Sequence, residues 1–261
     1  MFVKNLAVLF TLTLVTFCNS SFIEDLPKCH LEDFDCLKDV YQTMIRKMGK
    51  EGLKEFNIPP LDPMKLTNVN VNVHNLVNVT MVDGIVKGIR DCVFDAFSID
   101  IKEGRGHQEN TCDLVIKGHY TAEASSDLIA ALLGGSSIHG DGHAKVTVGQ
   151  VHVKFDFPFY AQKRDDGEIY IKCNYDLVKY DYDIGGPFVI KADNLYLGDK
   201  ESSKIITDMM NQNWRIMMTG FGQPFMKKAI QEYYFKFTGN FFDNVPARYF
   251  IIEDLTPYAR P

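Results

Sequence analysis

The chain has 261 residues, 46% hydrophobic, 12% aromatic and 24% charged, with 28 basic against 34 acidic residues and a formal net charge of -6. These are globular proportions, which exclude a disordered, collagen-like or low-complexity chain. The acidic balance excludes a general nucleic-acid binder, because no surplus of Lys and Arg is left to neutralise phosphates.

The N-terminus reads as a leader. Lys4 precedes an apolar run from Leu6 to Phe17, then Cys18-Asn19-Ser20-Ser21. The run is too short to span a bilayer, and its flanks are those of a secretory signal peptide over residues 1–21. No later stretch is long and uncharged enough for an integral membrane segment. Loss of Lys4 takes the net charge to -7, and loss of Cys18 leaves five cysteines: Cys29, Cys36, Cys92, Cys112 and Cys173. An oxidising compartment favours disulfides. A Cys29–Cys36 bridge would pin the new terminus. Cys92 and Cys112 have the spacing to meet across a hairpin, and Cys173 has the choice of either; the odd count leaves at least one thiol over.

Residues 33–56 carry a helical period, with Leu37, Val40, Tyr41, Met44, Ile45 and Met48 on one face. Gly49 and Gly52 weaken its end, and Ile58 to Pro63 is a helix-breaking connector. From Leu66 to Leu197 the period is two. Val69, Val71 and Val73 alternate with asparagines. Asn78-Val79-Thr80 is a sequon, offering Asn78 as a glycan acceptor if the strand leaves it exposed. Ile89, Val93, Phe97, Ile99 and Ile101 share a parity, as do Leu114, Ile116, Gly118 and Tyr120, and Val151, Val153, Phe155, Phe157 and Phe159. Ile169 to Leu177 alternates, then the phase slips at Val178, which predicts a β-bulge. Turns are predicted at residues 102–110, Gly134-Gly135, Asp165 to Gly167 and Gly185 to Pro187. After Lys200 the period returns to 3.6, predicting a final helix of up to about forty residues, interrupted or kinked at Gly220–Pro224. Strands followed by helix give an α+β class: one domain over residues 22–261, with the helix packed on an antiparallel sheet.

The sequence shows no G-x-S-x-G elbow, H-E-x-x-H, C-x-x-C or P-loop, and it predicts neither a catalytic set nor a cofactor. His139-Gly140-Asp141-Gly142-His143 is the best metal candidate. It lacks the further ligands that zinc needs, so a polar, glycine-rich turn is the favoured reading. Met209, Met210, Met217, Met218 and Met226 suit an adaptable apolar lining, or ordinary core between helix and sheet.

Several segments together resemble the insect takeout and haemolymph juvenile-hormone-binding proteins. They are Cys29…Cys36, Ile58-Pro59-Pro60-Leu61-Asp62-Pro63, Gly118-His119-Tyr120, Ala192 to Lys200, Asn211-Gln212-Asn213-Trp214 and Pro224. The resemblance spans nearly the whole mature chain. It departs from the family pattern at Cys92, Cys112 and Cys173, in the Gly220–Gly222 break, and in the Gly/Ser content of Leu128–Gly142. It implies a Cys29–Cys36 disulfide and a long C-terminal helix wrapped by a strongly curved antiparallel sheet, as in the tubular lipid-binding superfamily. It also implies a tunnel for one small hydrophobic ligand, such as juvenile hormone, another terpenoid or a fatty-acid-like compound. It further implies extracellular carriage without catalysis, in haemolymph or sensory fluid, and ties to feeding, circadian output and behaviour. Burial of a lipophile stabilises the complex by roughly 25 cal/mol per Å² of apolar surface. Tyr120, Phe155, Phe157, Trp214, Met217 and Phe221 are the expected lining. The alternative, from another class, is a secreted signalling or interaction protein whose apolar interior is only core. A secreted hydrolase ranks third. No receptor is named by the sequence.

Overall fold

Two long strands set the frame: β4 (Arg105–Ala124, 20 residues) and β5 (Ile138–Lys163, 26 residues). The computed structural model describes residues 22–73, 76–124, 137–231 and 235–260, without the side chains of residues 221, 236 and 237. The expected leader and the Gly134-Gly135 turn lie outside the described residues.

The β4–β5 ribbon is flanked by shorter strands. β1 (Met64–Val73) pairs with β2 (Val77–Lys87), and β2 with β4. β3 (Val93–Asp100) takes the other end of β4. Along its free edge β5 pairs in turn with β6 (Ile169–Cys173), β7 (Lys179–Ile184), β8 (Phe188–Ala192) and β9 (Leu195–Leu197). Small β10 (Lys200–Glu201) joins β9. All these pairs are antiparallel; β11 (Ala259–Arg260) adds to β5 in parallel.

One bulge organises β5. Register slips where Val151 and Val148 of β5 face Cys112 and Leu114 of β4. Two residues, Gly149 and Gln150, oppose Asp113 there. Gln150 is left-handed (φ 50), and its N–H donates to Asp113 Oδ1 at 2.8 Å. Gly185 and Gly186 donate their N–H groups to Gln150 and Gly149 carbonyls. The bulge therefore marks the hand-over from β7 to β8. It also switches the inward parity of β5 from Val146 and Val148 to Val151, Val153 and Phe155.

Helix α1 (Phe34–Glu51) begins where the Asp33 carboxylate accepts the Cys36 N–H at 3.0 Å. It stops at Gly52, whose φ of 70 suits glycine, and whose missing Cβ leaves room for the Ile58 carbonyl at 2.4 Å. Leu37, Val40, Met44 and Met48 are buried in the largest core cluster with Phe94, Phe97 and Phe250.

The C-terminal helix is segmented into α2 (Ser203–Gln212), α3 (Trp214–Ala229) and α4 (Phe235–Asn244). The expected break at Gly220–Pro224 is absent: α3 runs through Pro224. The break falls instead at Asn213 (φ -112, ψ 21), whose side-chain amide and backbone N–H both donate to the Met209 carbonyl, at 2.9 and 3.2 Å. α2 packs on β8 and α3 on β1, so helices bridge opposite margins of a sheet that does not close on itself.

Three further expectations are corrected. The slip at Val178 is a 3-10 turn, Tyr175–Leu177, between β6 and β7 rather than a bulge. The shared parity of Val93 and Phe97 fails because the register shifts between Phe94 and Ala96; Phe94 is buried and Val93 exposed. His139–His143 is continuous strand, not a turn. No helix among the described residues is long and apolar enough to cross a membrane.

Candidate functional site

Where β3, the C-terminal half of β5, β6, α1 and α4 meet, an apolar cavity remains between two core clusters. It encloses about 60 Å³, or about 740 Å³ counted out through its mouth to solvent. Phe155, Phe157 and Phe159 approach from β5, Ile171 from β6, Phe97 from β3 and Phe242 from α4.

The phenylalanines recur at every second residue because a strand presents every second side chain to one face. Phe157 lies directly opposite Gly106 on β4, and its ring fills the place of the absent side chain: a Cβ on Gly106 would stand 2.3 Å from the ring. The Phe155 and Phe235 rings meet edge-on at 6.2 Å, and Phe235 also lies 5.1 Å from Tyr175. Phe235 thereby ties the start of α4 to the sheet.

The polar content of the wall is small. Gln108, 7% exposed on the inward face of β4, is its buried amide. Its Nε2 donates to Asn110 Oδ1 at 3.1 Å, and Asn110 Nδ2 donates to Cys112 Sγ. Cys173, the free cysteine among the described residues, also faces the cavity, and burial pushes its thiol pKa up to about 12. It stays protonated and acts as a small apolar group, not a nucleophile.

Of the six expected lining residues, Phe155 and Phe157 border this cavity. Tyr120 sits apart in a smaller cluster with Leu195 and Ile206; its hydroxyl donates to the Asp193 carbonyl at 2.9 Å. Burial, then the Asp193 charge, push that phenol up to about 12. Trp214 stacks on Phe188 at 6.0 Å in the cluster around Val148 and Val151. Met217 is half-buried on α3 away from the cavity, and the side chain of Phe221 lies outside the described residues. Gln108 escaped the sequence reading. The available signal was its inward parity on β4, shared with Asn110 and Cys112.

Cys29–Cys36 and Cys92–Cys112 are both disulfides. Asn78 is exposed on β2, where its Oδ1 accepts from Asn70 Nδ2 at 2.8 Å. The His139–His143 segment is spread along one strand: His139 stacks on Tyr196, Asp141 bonds His119 Nε2, and His143 lies beside the His119 ring. Among the described residues no group of three or more His, Cys, Asp or Glu is placed to hold a metal.

A curved, open antiparallel sheet bridged by a segmented C-terminal helix, with an apolar cavity inside, defines the class of α+β protein. The family model of the haemolymph juvenile hormone binding proteins matches residues 8–252, and the chain belongs to that family. The crystal structure of Epiphyas postvittana Takeout 1 has the same fold: TM-score 0.74 at 24% identity, covering 87% of this chain and 99% of that one. A lipopolysaccharide binding protein structure overlaps only loosely (TM-score 0.28, 6% identity, 77% of this chain and 39% of that one). A search of curated proteins returned no match.

Proposed function

We propose that this chain is a secreted, non-enzymatic carrier that holds one small lipophilic molecule between β5, β6 and α4. The observation that carries the reading is the cavity wall itself. Phe155, Phe157, Phe159 and Ile171 offer a wholly apolar surface, with the buried Gln108 amide as a polar point on its β4 side. A molecule with an apolar body and a carbonyl or hydroxyl head fits this division. The name of the family points to juvenile hormone, a ligand of that kind; a fatty-acid-like chain meets the same chemistry. Burying about 300 Å² of its apolar surface would contribute about 7.5 kcal/mol.

The enclosed volume of about 60 Å³ is well below the ~300–1,000 Å³ typical of ligand pockets. Loading therefore requires the aromatic side chains of β5 and α4 to turn outward and extend the cavity toward its mouth. The leader reading, and two disulfides that persist in an oxidising compartment, support secretion. The exposed Asn78 is an acceptable glycan site, and residues 22–261 form the mature unit.

The test combines native mass spectrometry of the purified protein with titration of a delipidated sample by a fluorescent fatty acid. One guest per chain is expected, competed by juvenile hormone or by unlabelled fatty acid. Ile171→Trp, which fills the cavity, should abolish binding while leaving the melting temperature within a few degrees. Absence of both co-purified lipid and probe binding sinks the reading and favours an interaction protein with a closed core.

A further inference from the structure

The outer face of the ribbon carries a second feature that the cavity does not use. Inward-pointing Leu114, Ile116, Gly118 and Tyr120 on β4 alternate with outward-pointing Val115, Lys117 and His119. Register carries the outward positions across the sheet. Lys65 pairs with Ile85, Ile85 with Lys117, Lys117 with Lys145, and Lys145 with Lys191. The neighbouring outward row runs Lys87, Val115, Thr147, Val189. Five lysines thus share two adjacent rows with no acid between them, and all five are exposed. None makes an ion pair among the described residues. The first row crosses four strand spacings, about 19 Å.

This arrangement is costly for folding alone. Lys117 faces Lys145 and Lys145 faces Lys191 directly, and like charges in such pairs destabilise a sheet. It is also local, since the whole chain is acidic at -6. A groove of about 840 Å³ runs beside the lysine row, with Asp83 and Asp193 on its far bank. Both acids already accept backbone N–H groups, of His119 and His143 respectively.

From this juxtaposition we infer that the β1–β2–β4–β5–β8 outer face docks on an anionic phospholipid bilayer. Lysines at this spacing meet headgroup phosphates and carboxylates, each contributing about 1 kcal/mol near an anionic leaflet. Ile85, Val115 and half-exposed Val189 stand among them, and the acyl boundary of a bilayer suits them. A soluble polyanion would leave those three side chains in water, which is why the bilayer is the occupant. The inference concerns the outside of the sheet and holds whatever the cavity carries.

The test is sedimentation of the full mature chain with vesicles of phosphatidylcholine alone and of phosphatidylcholine with phosphatidylserine. Binding is expected only with phosphatidylserine present, and it should weaken as salt is raised. The variant K117Q/K145Q/K191Q should lose about a hundredfold in partitioning, with an unchanged or higher melting temperature because opposed like charges are gone. A control of equal charge change, K28Q/K54Q/K102Q, alters exposed lysines off this face and should bind as the parent does. Equal binding by the ladder variant and the parent overturns the inference, as does equal loss in the control. Retention on a sulfated polysaccharide column without vesicle binding also overturns it, and assigns the face to a polyanion instead.

Discussion

Gly106 and Phe157 are opposite each other on the two longest strands, and the phenylalanine ring occupies the space in which a Cβ on Gly106 would lie. The pair places an aromatic ring in the cavity wall by leaving a side chain out of the facing strand. Gly106→Ala brings a methyl group to 2.3 Å from the ring edge, so the ring must swing away from β4. Displacing the ring should cost about 1–3 kcal/mol of stability. Ligand affinity should fall further than stability, because the displaced ring enters the guest's volume. Thermal melting and probe titration on the same sample separate the two effects; unchanged affinity would show that the guest does not reach Phe157.

Asn211 fastens the helical segment to the sheet. Its Oδ1 accepts the Ile190 N–H at 2.7 Å, and its Nδ2 donates to the Ile190 carbonyl at 2.9 Å. Both backbone groups belong to β8, the margin of the sheet at this level. Asn211→Ala leaves a strand donor and acceptor to find water, with an expected loss of about 1–3 kcal/mol. Hydrogen exchange should localise the effect, with faster exchange at Ile190 and in α2 and little change in α1. Uniform acceleration across the molecule would count against a local tie.

That pair of bonds also shows what a sequence can and cannot disclose. The α+β class and most strands were legible because a half-buried strand must alternate, as Val151, Val153 and Phe155 do. The Asn211–Trp214 segment was visible only as a resemblance, since nothing local says that an asparagine amide will meet a strand twenty-one residues back. The helix break moved from Gly220–Pro224 to Asn213, a position that the 3.6 period does not distinguish from its helical neighbours. In the cavity, period two pointed to Phe155 and Phe157. It could not separate them from Tyr120 and Trp214, which pack elsewhere, because lining and core have the same apolar character. Gln108 was hidden by its type, as polar residues on strands are more often outside.

The Cys92–Cys112 bridge joins the start of β3 to β4 and closes a separation of 20 residues. Loop-closure entropy for that length corresponds to about 3 kcal/mol. Cys92→Ser/Cys112→Ser should therefore lower the denaturation midpoint markedly, and adding reductant should affect the variant less than the parent. The Cys29–Cys36 loop spans only 7 residues, so removing it should cost less globally and act mainly on the N-terminal segment. Equal losses from the two bridges would contradict this ordering.

The outer face of β4 and β5 also holds a titrating cluster at the other end from the lysine rows. His107 Nδ1 bonds Asp156 at 2.7 Å and its Nε2 bonds Glu109 at 3.1 Å; Glu109 in turn meets His152 at 3.0 Å and Lys154 at 3.4 Å. The hydrogen bond to Asp156, followed by that to Glu109, raises the His107 pKa above its ordinary 6.5. Its contribution is full below 6.5 and disappears as pH rises through the raised value. The hydrogen bond from His107 lowers Glu109 below 4.5, so that contribution is present above 4.5 and disappears on acidification through the lowered value. The two windows overlap between 4.5 and 6.5. His107→Gln should lower the melting temperature most in that interval, with solvent screening holding the loss to about 0.5 kcal/mol or less, and the gap to the parent should close at alkaline pH. Melting curves of both proteins across this range check it; a gap that does not vary with pH would mean that His107 acts through packing and not through its charge.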